Sequence, residues 1–345
     1  MKYNSLLLVL LTVTTFCYAQ QNALRTNIGV HDPVMIKQDS VFYLFCTGNG
    51  ISMWTSQDMV HWHQEKPVFA QAPEWAVEAV PGFKGHIWAP DISYYSGLYY
   101  LYYSVSAFGK NTSCIGVATT PTLDVNSPAY QWTDHGKVIQ SIPGKTNWNA
   151  IDPNLLTYKN DAYLTFGSFW GGLKIAKLTQ DRLSIAEPIE QTTTIATRVN
   201  AEGMSFDNVA KSKTKAANAI EAPFIFRKRK YHYLFASIDY CCKGPKSTYK
   251  IIVGRAKKIT GPYFDQNGIR MDHGGGTILL TGNESWYGVG HNGVCSFNGD
   301  DYLVYHGYDA SDNAKSKLII NKIEWKKGWP VIVNQANNLA ATKAN

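Results

Sequence analysis

The chain reads Asp32-Pro33-Val34 and, after a turn, Phe42-Tyr43-Leu44-Phe45, and this pattern recurs four more times. Each instance joins a polar residue, usually next to a proline, to an apolar run, a short turn and an aromatic run. The later instances begin at Ala89-Pro90-Asp91, Asp152-Pro153-Asn154, Glu221-Ala222-Pro223 and His291-Asn292-Gly293. Counted from Pro33 to Asn292, the steps are 57, 63, 70 and 69 residues, a loose period suited to one four-stranded sheet per unit. Repetition of small sheets predicts a β-propeller.

The rest of the chain also has the character of β-structure. Helical periodicity is almost absent, and short runs of Val, Ile, Phe, Tyr and Leu alternate with clusters of Gly, Asn, Asp and Pro. Further middle and outer strands are predicted at residues 51–54, 114–118, 130–132, 172–176 and 251–255. We therefore predict an all-β fold, a five-bladed β-propeller with its active site at the central axis.

Composition supports one large globular domain. The chain has 345 residues, of which 45% are hydrophobic and only 17% charged, so it can bury a large core and is not disordered. We predict a single propeller domain over residues 27–333 and a C-terminal tail over 334–345. Insertions at 65–85 and 199–219 interrupt the repeats, and long loops on a closed scaffold are usual places for substrate contacts.

The N-terminus resembles an export signal. Lys2 precedes an apolar run over residues 6–16, and Cys17-Tyr18-Ala19 precedes Gln20. This layout predicts a signal peptide over residues 1–19 and a secreted or periplasmic protein, with surface attachment through Cys17 the less favoured alternative. No later segment is long and apolar enough to span a membrane. The net charge of +7 is spread over predicted turns, so no nucleic-acid partner is expected, and we expect a monomer.

The cysteines outside the predicted signal peptide do not form a disulfide framework. They are Cys46, Cys114, Cys241, Cys242 and Cys295. Their odd number leaves at least one free thiol, and no C-x-x-C pair indicates zinc. We expect the neighbours Cys241 and Cys242 to be packed thiols; the alternative is an eight-membered disulfide ring that shapes a pocket wall.

Three of the five repeats carry a carboxylate at their start. If each unit begins with the strand nearest the axis, Asp32, Asp152 and Glu221 occupy equivalent places and converge. Hydrolysis of a glycosidic bond with inversion needs a base for water and an acid for the leaving oxygen, about 6.5–9.5 Å apart. We assign Asp32 as the base and Glu221 as the acid. Asp152 then raises the pKa of the acid and orients it.

Any one of these carboxylates, taken alone, is equally well explained as the cap of a turn before proline. The eight strings that accompany them are more specific, because they occur in order over nearly the whole chain. They are His31-Asp32-Pro33, His86-Ile87-Trp88-Ala89-Pro90-Asp91, Tyr103-Ser104-Val105-Ser106-Ala107-Phe108-Gly109, Ala150-Ile151-Asp152-Pro153, Gly167-Ser168-Phe169-Trp170-Gly171-Gly172, Ile220-Glu221-Ala222-Pro223, Cys241-Cys242-Lys243-Gly244 and Gly290-His291-Asn292. With these strings the chain resembles the family 43 glycoside hydrolases, and among them the endo-1,5-α-L-arabinanases. The resemblance implies a five-bladed propeller, an inverting mechanism and the same three roles for the carboxylates.

The resemblance also implies a metal ion. Similar arabinanases hold calcium on the axis through one histidine and a shell of water, and His291 is the matching residue here. From the residues alone, a histidine that makes ordinary hydrogen bonds explains the position equally well, since calcium prefers oxygen ligands. No organic cofactor is expected. Residues 288–293 satisfy G-x-G-x-x-G, but a strand pattern rather than a helix follows them.

Sugar binding needs flat rings for C–H faces and polar groups for hydroxyls. The aromatic candidates are Trp88, Phe108 and Trp170, and the polar candidates are Asn149, Ser168 and His31.

The sequence therefore predicts an exported hydrolase that cuts internal α-1,5-L-arabinofuranosyl linkages of arabinan. Two alternatives remain open: an exo-acting α-L-arabinofuranosidase or β-xylosidase of the same family, and a propeller that binds glycans without cleaving them.

Overall fold

A computed structural model of the protein describes residues 24–198 and 218–332, which form five antiparallel sheets around one axis. The first four sheets follow one another along the chain. The first contains β2 (Val34–Gln38), β3 (Val41–Cys46), β5 (Ser52–Ser56) and β6 (His63–Gln64). The second contains β7 (His86–Tyr95), β8 (Leu98–Val105), β9 (Cys114–Thr120) and β10 (Thr133–Gln140), with β4 (Gly48–Asn49) added beside β7. The third contains β11 (Asn154–Tyr158), β12 (Asp161–Phe166), β13 (Leu173–Lys177) and β14 (Thr193–Ala196), and the fourth β15 (Ile220–Lys228), β16 (Tyr231–Ile238), β17 (Lys250–Ala256) and β18 (Thr277–Thr281).

The fifth sheet closes the ring with strands from both parts of the chain. It contains β19 (Trp286–Phe297), β20 (Asp300–Asp309), β21 (Lys315–Lys326) and, as its outer strand, β1 (Leu24–Gly29), while β22 (Trp329–Ile332) also pairs with β21. The prediction of an all-β, five-bladed propeller is confirmed. The segment around Thr26 belongs to the fifth sheet, although it directly precedes the first sheet in sequence, and the Thr26 hydroxyl donates to the Leu318 carbonyl at 3.0 Å.

Apolar side chains fill the space between neighbouring sheets. Five clusters of buried residues each join two adjacent sheets, and the aromatic runs of the repeats supply many of their members. Phe45, Tyr103, Phe166 and Phe235 are fully buried in this way. Because each such side chain contributes roughly 1.5–3 kcal/mol on burial, the repeats stabilise the ring through contacts between sheets.

A left-handed residue recurs at the equivalent position of each unit, just before β2 and β11 and inside β7, β15 and β19. The residues with positive φ are Asp32 (54°), Ala89 (42°), Asp152 (57°), Ala222 (54°) and His291 (53°). In β7, β15 and β19 the pairing with the next strand shifts register at this residue, as expected of a β-bulge. Such costly backbone geometry tends to persist at functional sites. The prediction that Glu221 is equivalent to Asp32 and Asp152 is therefore wrong by one residue, because Ala222 holds that place.

Smaller differences from prediction lie outside the inner strands. Residues 130–132 are not a strand, and β10 begins only at Thr133. The insertion at 65–85 contains a short helix, α1 (Glu74–Ala79), held to β10 by a 2.9 Å hydrogen bond from Trp75 Nε1 to Asp134 Oδ2. Among the described residues, 3₁₀ turns occupy Ile189–Gln191, Gly244–Lys246 and Met271–His273.

The predicted signal peptide, residues 1–19, the C-terminal tail, residues 334–345, and most of the insertion at 199–219 lie outside the described residues. Within the described ranges, the helices are too short and too polar to traverse a bilayer.

Candidate active site

The three predicted carboxylates meet in one cavity of about 800 Å³ at the axis. The innermost strands β2, β11 and β15 all begin at the same end of the ring, so Asp32, Asp152 and Glu221 face a shared space. His291, from the start of the fifth unit, lines the same cavity. Rotational repetition thus brings together side chains that are far apart in sequence.

Asp32 is surrounded by hydrogen-bond donors. Its Oδ1 lies 2.8 Å from Nδ1 of His31 and 3.0 Å from Nδ1 of His291, and its Oδ2 accepts the Thr47 hydroxyl at 2.5 Å. Burial alone would raise the pKa of Asp32, but the charges and hydrogen bonds of His291 and His31 hold it well below its usual range. Asp32 is therefore an ionised carboxylate at any moderate pH, as a general base requires.

A second row of side chains fixes His31 against Asp32. Tyr308 receives the backbone N–H of Cys242 at 2.8 Å, and its hydroxyl lies 2.9 Å from Nε2 of His31. The ring of His306 packs against His31 with centroids 3.9 Å apart, and its Nδ1 accepts the backbone N–H of Asp32 at 3.2 Å. His31 was predicted to contact sugar hydroxyls, but both of its ring nitrogens have protein partners.

Asp152 lies deeper and has fewer donors. Its Oδ2 accepts the backbone N–H of Ala222 at 3.1 Å, and its own backbone N–H donates to the Ser104 hydroxyl at 2.9 Å. Burial raises the pKa of Asp152 to about 8, with the charges of Glu221 and Asp32 adding to the shift and His291 opposing it. This carboxyl group therefore holds a proton at neutral pH in the free protein.

Each carboxylate oxygen of Glu221 has one hydroxyl partner. The buried Tyr249 hydroxyl lies 2.7 Å from Oε1, and the Ser168 hydroxyl lies 2.8 Å from Oε2. Ser168 and Glu221 are also joined by an isolated β-bridge between the third and fourth sheets. The orientation of Glu221 is thus set by two sheets at once.

His291 carries the positive charge of the site. Burial alone would lower the pKa of His291, but the charge and hydrogen bond of Asp32, with the charges of Asp152 and Glu221, raise it to about 9. Neither side-chain polar atom of the neighbouring Asn292, which is 4% exposed, has a partner among the described residues. Unsatisfied polar atoms at the axis, beside one imidazole, fit a cation that keeps water in most of its coordination positions. Because a ligating histidine must be neutral, such a cation would compete with a proton for His291.

All six residues predicted to bind substrate line the cavity: His31, Trp88, Phe108, Asn149, Ser168 and Trp170. Their surroundings differ. Phe108 is 82% exposed, so its ring is free to meet a ligand. Asn149 is only 3% exposed, and its Oδ1 accepts the Ser141 hydroxyl at 3.3 Å. The aromatic side chains are therefore better placed for direct sugar contact than Asn149.

The expectation that Cys241 and Cys242 are packed thiols is wrong. The two neighbours are joined by a disulfide that lines the cavity, and Sγ of Cys242 lies 3.7 Å from Nε2 of His31. The pair occupies a turn after β16, where Cys242 has a φ of 65°, rather than the interior of a strand. The prediction of at least one free thiol is confirmed, since Cys46, Cys114 and Cys295 are unpaired in the described ranges.

Several residues that position the carboxylates were missed. They are Thr47, Tyr249, His306 and Tyr308. They lie beyond the starts of the repeats, on or next to β3, β17 and β20, so the repeat pattern that located the acids does not include them.

A ring of sheets that gathers three carboxylates beneath exposed aromatic rings defines a carbohydrate-cleaving hydrolase. Comparison with known proteins gives the family. The profile of glycosyl hydrolases family 43 matches residues 26–330, so the chain belongs to this family and is a glycoside hydrolase.

Well-described relatives cover nearly the same length. An extracellular exo-α-(1→5)-L-arabinofuranosidase of Cellvibrio japonicus is 46% identical over 327 residues, covering 94% of this chain and 90% of the relative. An extracellular endo-α-(1→5)-L-arabinanase of Bacillus subtilis is 42% identical over 311 residues, covering 88% of each chain. The structure of the Cellvibrio cellulosa α-L-arabinanase complexed with arabinohexaose superposes with a TM-score of 0.81 at 45% identity, covering 88% of this chain and 95% of that one. An exo-1,5-α-L-arabinanase from a bovine ruminal metagenomic library gives a TM-score of 0.83 at 46% identity, covering 90% and 98%.

Proposed function

We propose that the protein is an exported arabinanase that hydrolyses internal α-1,5-L-arabinofuranosyl linkages with inversion. The observation that carries the proposal is the contrast between two carboxylates in one cavity. Asp32 is held ionised by two histidines, whereas the hydrogen-bond partners of Glu221 among the described residues are two neutral hydroxyl groups. On one sugar, one carboxyl group must be ionised to act as the base and the other protonated to act as the acid, so their surroundings must differ.

In the proposed reaction Asp32 removes a proton from water. Its Oδ1 is occupied by two imidazole donors, so Oδ2, with only Thr47 bound, is the oxygen that has room for this water. The water oxygen attacks the anomeric carbon from the face opposite the leaving group as the glycosidic C–O bond breaks. The electron pair of that bond goes to the leaving oxygen, which takes a proton from Glu221.

Asp152 keeps the acid supplied with its proton. It bonds to the backbone N–H of Ala222, directly after Glu221, and its charge interacts with that of Glu221. Two nearby carboxyl groups resist double ionisation, so Asp152 opposes the loss of the last proton from the pair. Asp152 therefore acts on the acid without contacting the leaving group.

The size of the cavity supports an extended substrate. About 800 Å³ is near the upper end of the volumes that enclose drug-sized ligands and well above what one sugar ring occupies. The solved Cellvibrio cellulosa relative was complexed with a six-sugar arabinan fragment. Chain-end attack is the second candidate, because two of the similar proteins, each 46% identical, are named as exo-acting.

Product sizes from debranched linear arabinan test the proposal. Internal cleavage should give a ladder of oligosaccharides and a rapid fall in viscosity while few reducing ends have formed. Chain-end attack would give one short product with viscosity nearly unchanged. Release of xylose from xylan, with arabinan left intact, would refute arabinan as the substrate. The same digests followed by NMR should show the inverted anomer first, and a retained anomer would contradict the role of Asp32.

We also propose that calcium binds at the axis through His291. Bound there, the ion would supply positive charge to the acidic cluster while water fills its other positions. Adding calcium after chelation should raise the thermal midpoint of the wild type by a few degrees and leave His291→Gln unchanged, and elemental analysis should find about one calcium per chain. Equal midpoints with and without calcium in the wild type would refute the site.

A further inference from the structure

The two carboxyl oxygens of Glu221 lie in different surroundings. Oε1 meets the hydroxyl of Tyr249, a side chain only 1% exposed that does not line the cavity. Oε2 meets the hydroxyl of Ser168, which does line the cavity. One oxygen therefore faces the protein interior and the other faces the space where substrate binds.

The glycines of the run at 288–293 hold Tyr249 in place. A Cβ on Gly290 would lie 2.1 Å from Cδ1 of the Tyr249 ring, and one on Gly288 would lie 3.1 Å from the Tyr249 backbone nitrogen. The backbone N–H of Val289 donates to the Tyr249 carbonyl at 3.1 Å. The glycines of this G-x-G-x-x-G pattern make room for Tyr249 against β19.

The chemistry of the two hydroxyl groups is also different. Burial, with the charge of Glu221, raises the pKa of Tyr249 well above its usual value, so the phenol stays protonated and has a proton to donate. A phenol oxygen is a weaker acceptor than a serine oxygen because its lone pair is conjugated with the ring. A serine hydroxyl, by contrast, rotates freely and donates or accepts as its partner requires.

We propose that Tyr249 is a positioning residue that keeps the catalytic proton on Oε2 of Glu221, and that Ser168 reverses its hydrogen bond during each turnover. The inference rests on the proposed function and adds the atom that delivers the proton. Donation from Tyr249 occupies Oε1, which leaves Oε2 as the protonated oxygen.

Before reaction Oε2–H donates to Ser168 Oγ or to the glycosidic oxygen that displaces it. As the C–O bond breaks, that proton moves to the leaving oxygen, and Glu221 becomes a carboxylate. The Ser168 hydroxyl then rotates to donate to Oε2, and the proton that Asp32 took from water returns through solvent to Glu221.

Tyr249→Phe tests the inference, because it deletes one hydroxyl and keeps the ring. We expect kcat on arabinan to fall about 10- to 100-fold, the cost of losing a hydrogen bond to a charged group. A dinitrophenyl α-L-arabinofuranoside, whose leaving group needs no proton, should lose less than about 3-fold.

Tyr102→Phe is the matched control. Tyr102 is another buried tyrosine, with a hydroxyl that donates to the Arg182 carbonyl, in the segment between β13 and β14, rather than to a catalytic group. Its variant should keep the wild-type ratio between the two substrates. Equal losses on both substrates in Tyr249→Phe would overturn the inference while leaving arabinan cleavage by the wild type intact. Failure of the wild type to cleave arabinan would instead refute the proposed function.

Ser168→Ala gives a second test that does not depend on how well Tyr249→Phe folds. Because the Ser168 hydroxyl can accept from the protonated form of Glu221 and donate to its carboxylate, its loss should lower kcat on arabinan less than about 10-fold. A loss as large as that expected for Tyr249→Phe would show that Ser168 favours one form of Glu221, contrary to the inference.

Discussion

Glu221→Gln is expected to lower kcat on unactivated arabinan by about 10³-fold, because general acid catalysis contributes roughly 10²- to 10⁴-fold and an amide cannot supply the proton. Glutamine preserves the size of the side chain and keeps an oxygen for the Tyr249 hydroxyl. Substrate binding should therefore survive, with Kd for arabinohexaose within a few-fold of the wild type by calorimetry. A dinitrophenyl arabinofuranoside, which needs no acid, should lose far less activity.

Glu190→Gln provides the matched control for this variant. Glu190 is exposed in the 3₁₀ turn Ile189–Gln191, away from the cavity, and its substitution makes the same chemical change as Glu221→Gln. It should behave as the wild type on both substrates. If Glu221→Gln lost activity equally on arabinan and on the activated substrate, Glu221 would not be the proton donor, and its role would have to be sought in binding.

The repeats predict the fold because every unit must meet the same structural requirements. Each innermost strand must begin beside the axis, turn sharply and then pack an aromatic neighbour between sheets. Asp32 and Asp152 stand at that turn in the left-handed conformation, directly before a proline. Placing them together needed only the assumption of rotational symmetry. Glu221 was located by the same reasoning, but the bulge at Ala222 puts it one residue earlier.

The partners of the carboxylates could not be predicted in the same way. Tyr249 precedes a third strand of the fourth sheet, and Tyr308 lies on the second strand of the fifth. Each reaches the site only because the ring of sheets closes with a particular tilt and register. The disulfide between Cys241 and Cys242 depends likewise on a local turn, which composition does not reveal.

Asp32→Asn is expected to lower kcat/KM on arabinan by about 10³-fold, since the amide cannot take a proton from water. In the wild type the pKa of Asp32 lies well below its usual value, so the base stays ionised as pH falls through 4. The acidic limb of the wild-type profile should therefore lie below about pH 4, the ordinary range of an aspartate. A limb near pH 5 or 6 that disappears in Asp32→Asn would contradict this assignment.

The lowered pKa of Asp32 also makes the stability of the folded protein depend on pH. A carboxylate whose folded pKa is lowered stabilises the protein above its unfolded pKa, and this contribution is lost as pH falls through the folded value. Thermal midpoints of wild type and Asp32→Asn should thus differ by several degrees at pH 6 and converge in strong acid.

Rescue of Asp32→Asn by azide tests from which face of the sugar ring the nucleophile attacks. In Asp32→Asn the carboxylate that would repel an anion is gone, so azide can replace water, attack the anomeric carbon of a dinitrophenyl α-L-arabinofuranoside and expel the leaving group with its electron pair. NMR should show that the glycosyl azide has the inverted configuration. Azide should raise the turnover of Asp32→Asn at least about 10-fold, because the general base that it replaces contributes about 10²-fold or more. Because Thr47 and the two histidines remain around the vacated charge, the azide must approach from the Asp32 side of the cavity. A retained azide would mean two successive displacements, the first by a carboxylate of the protein, and would contradict the role of Asp32 as the base of a single displacement.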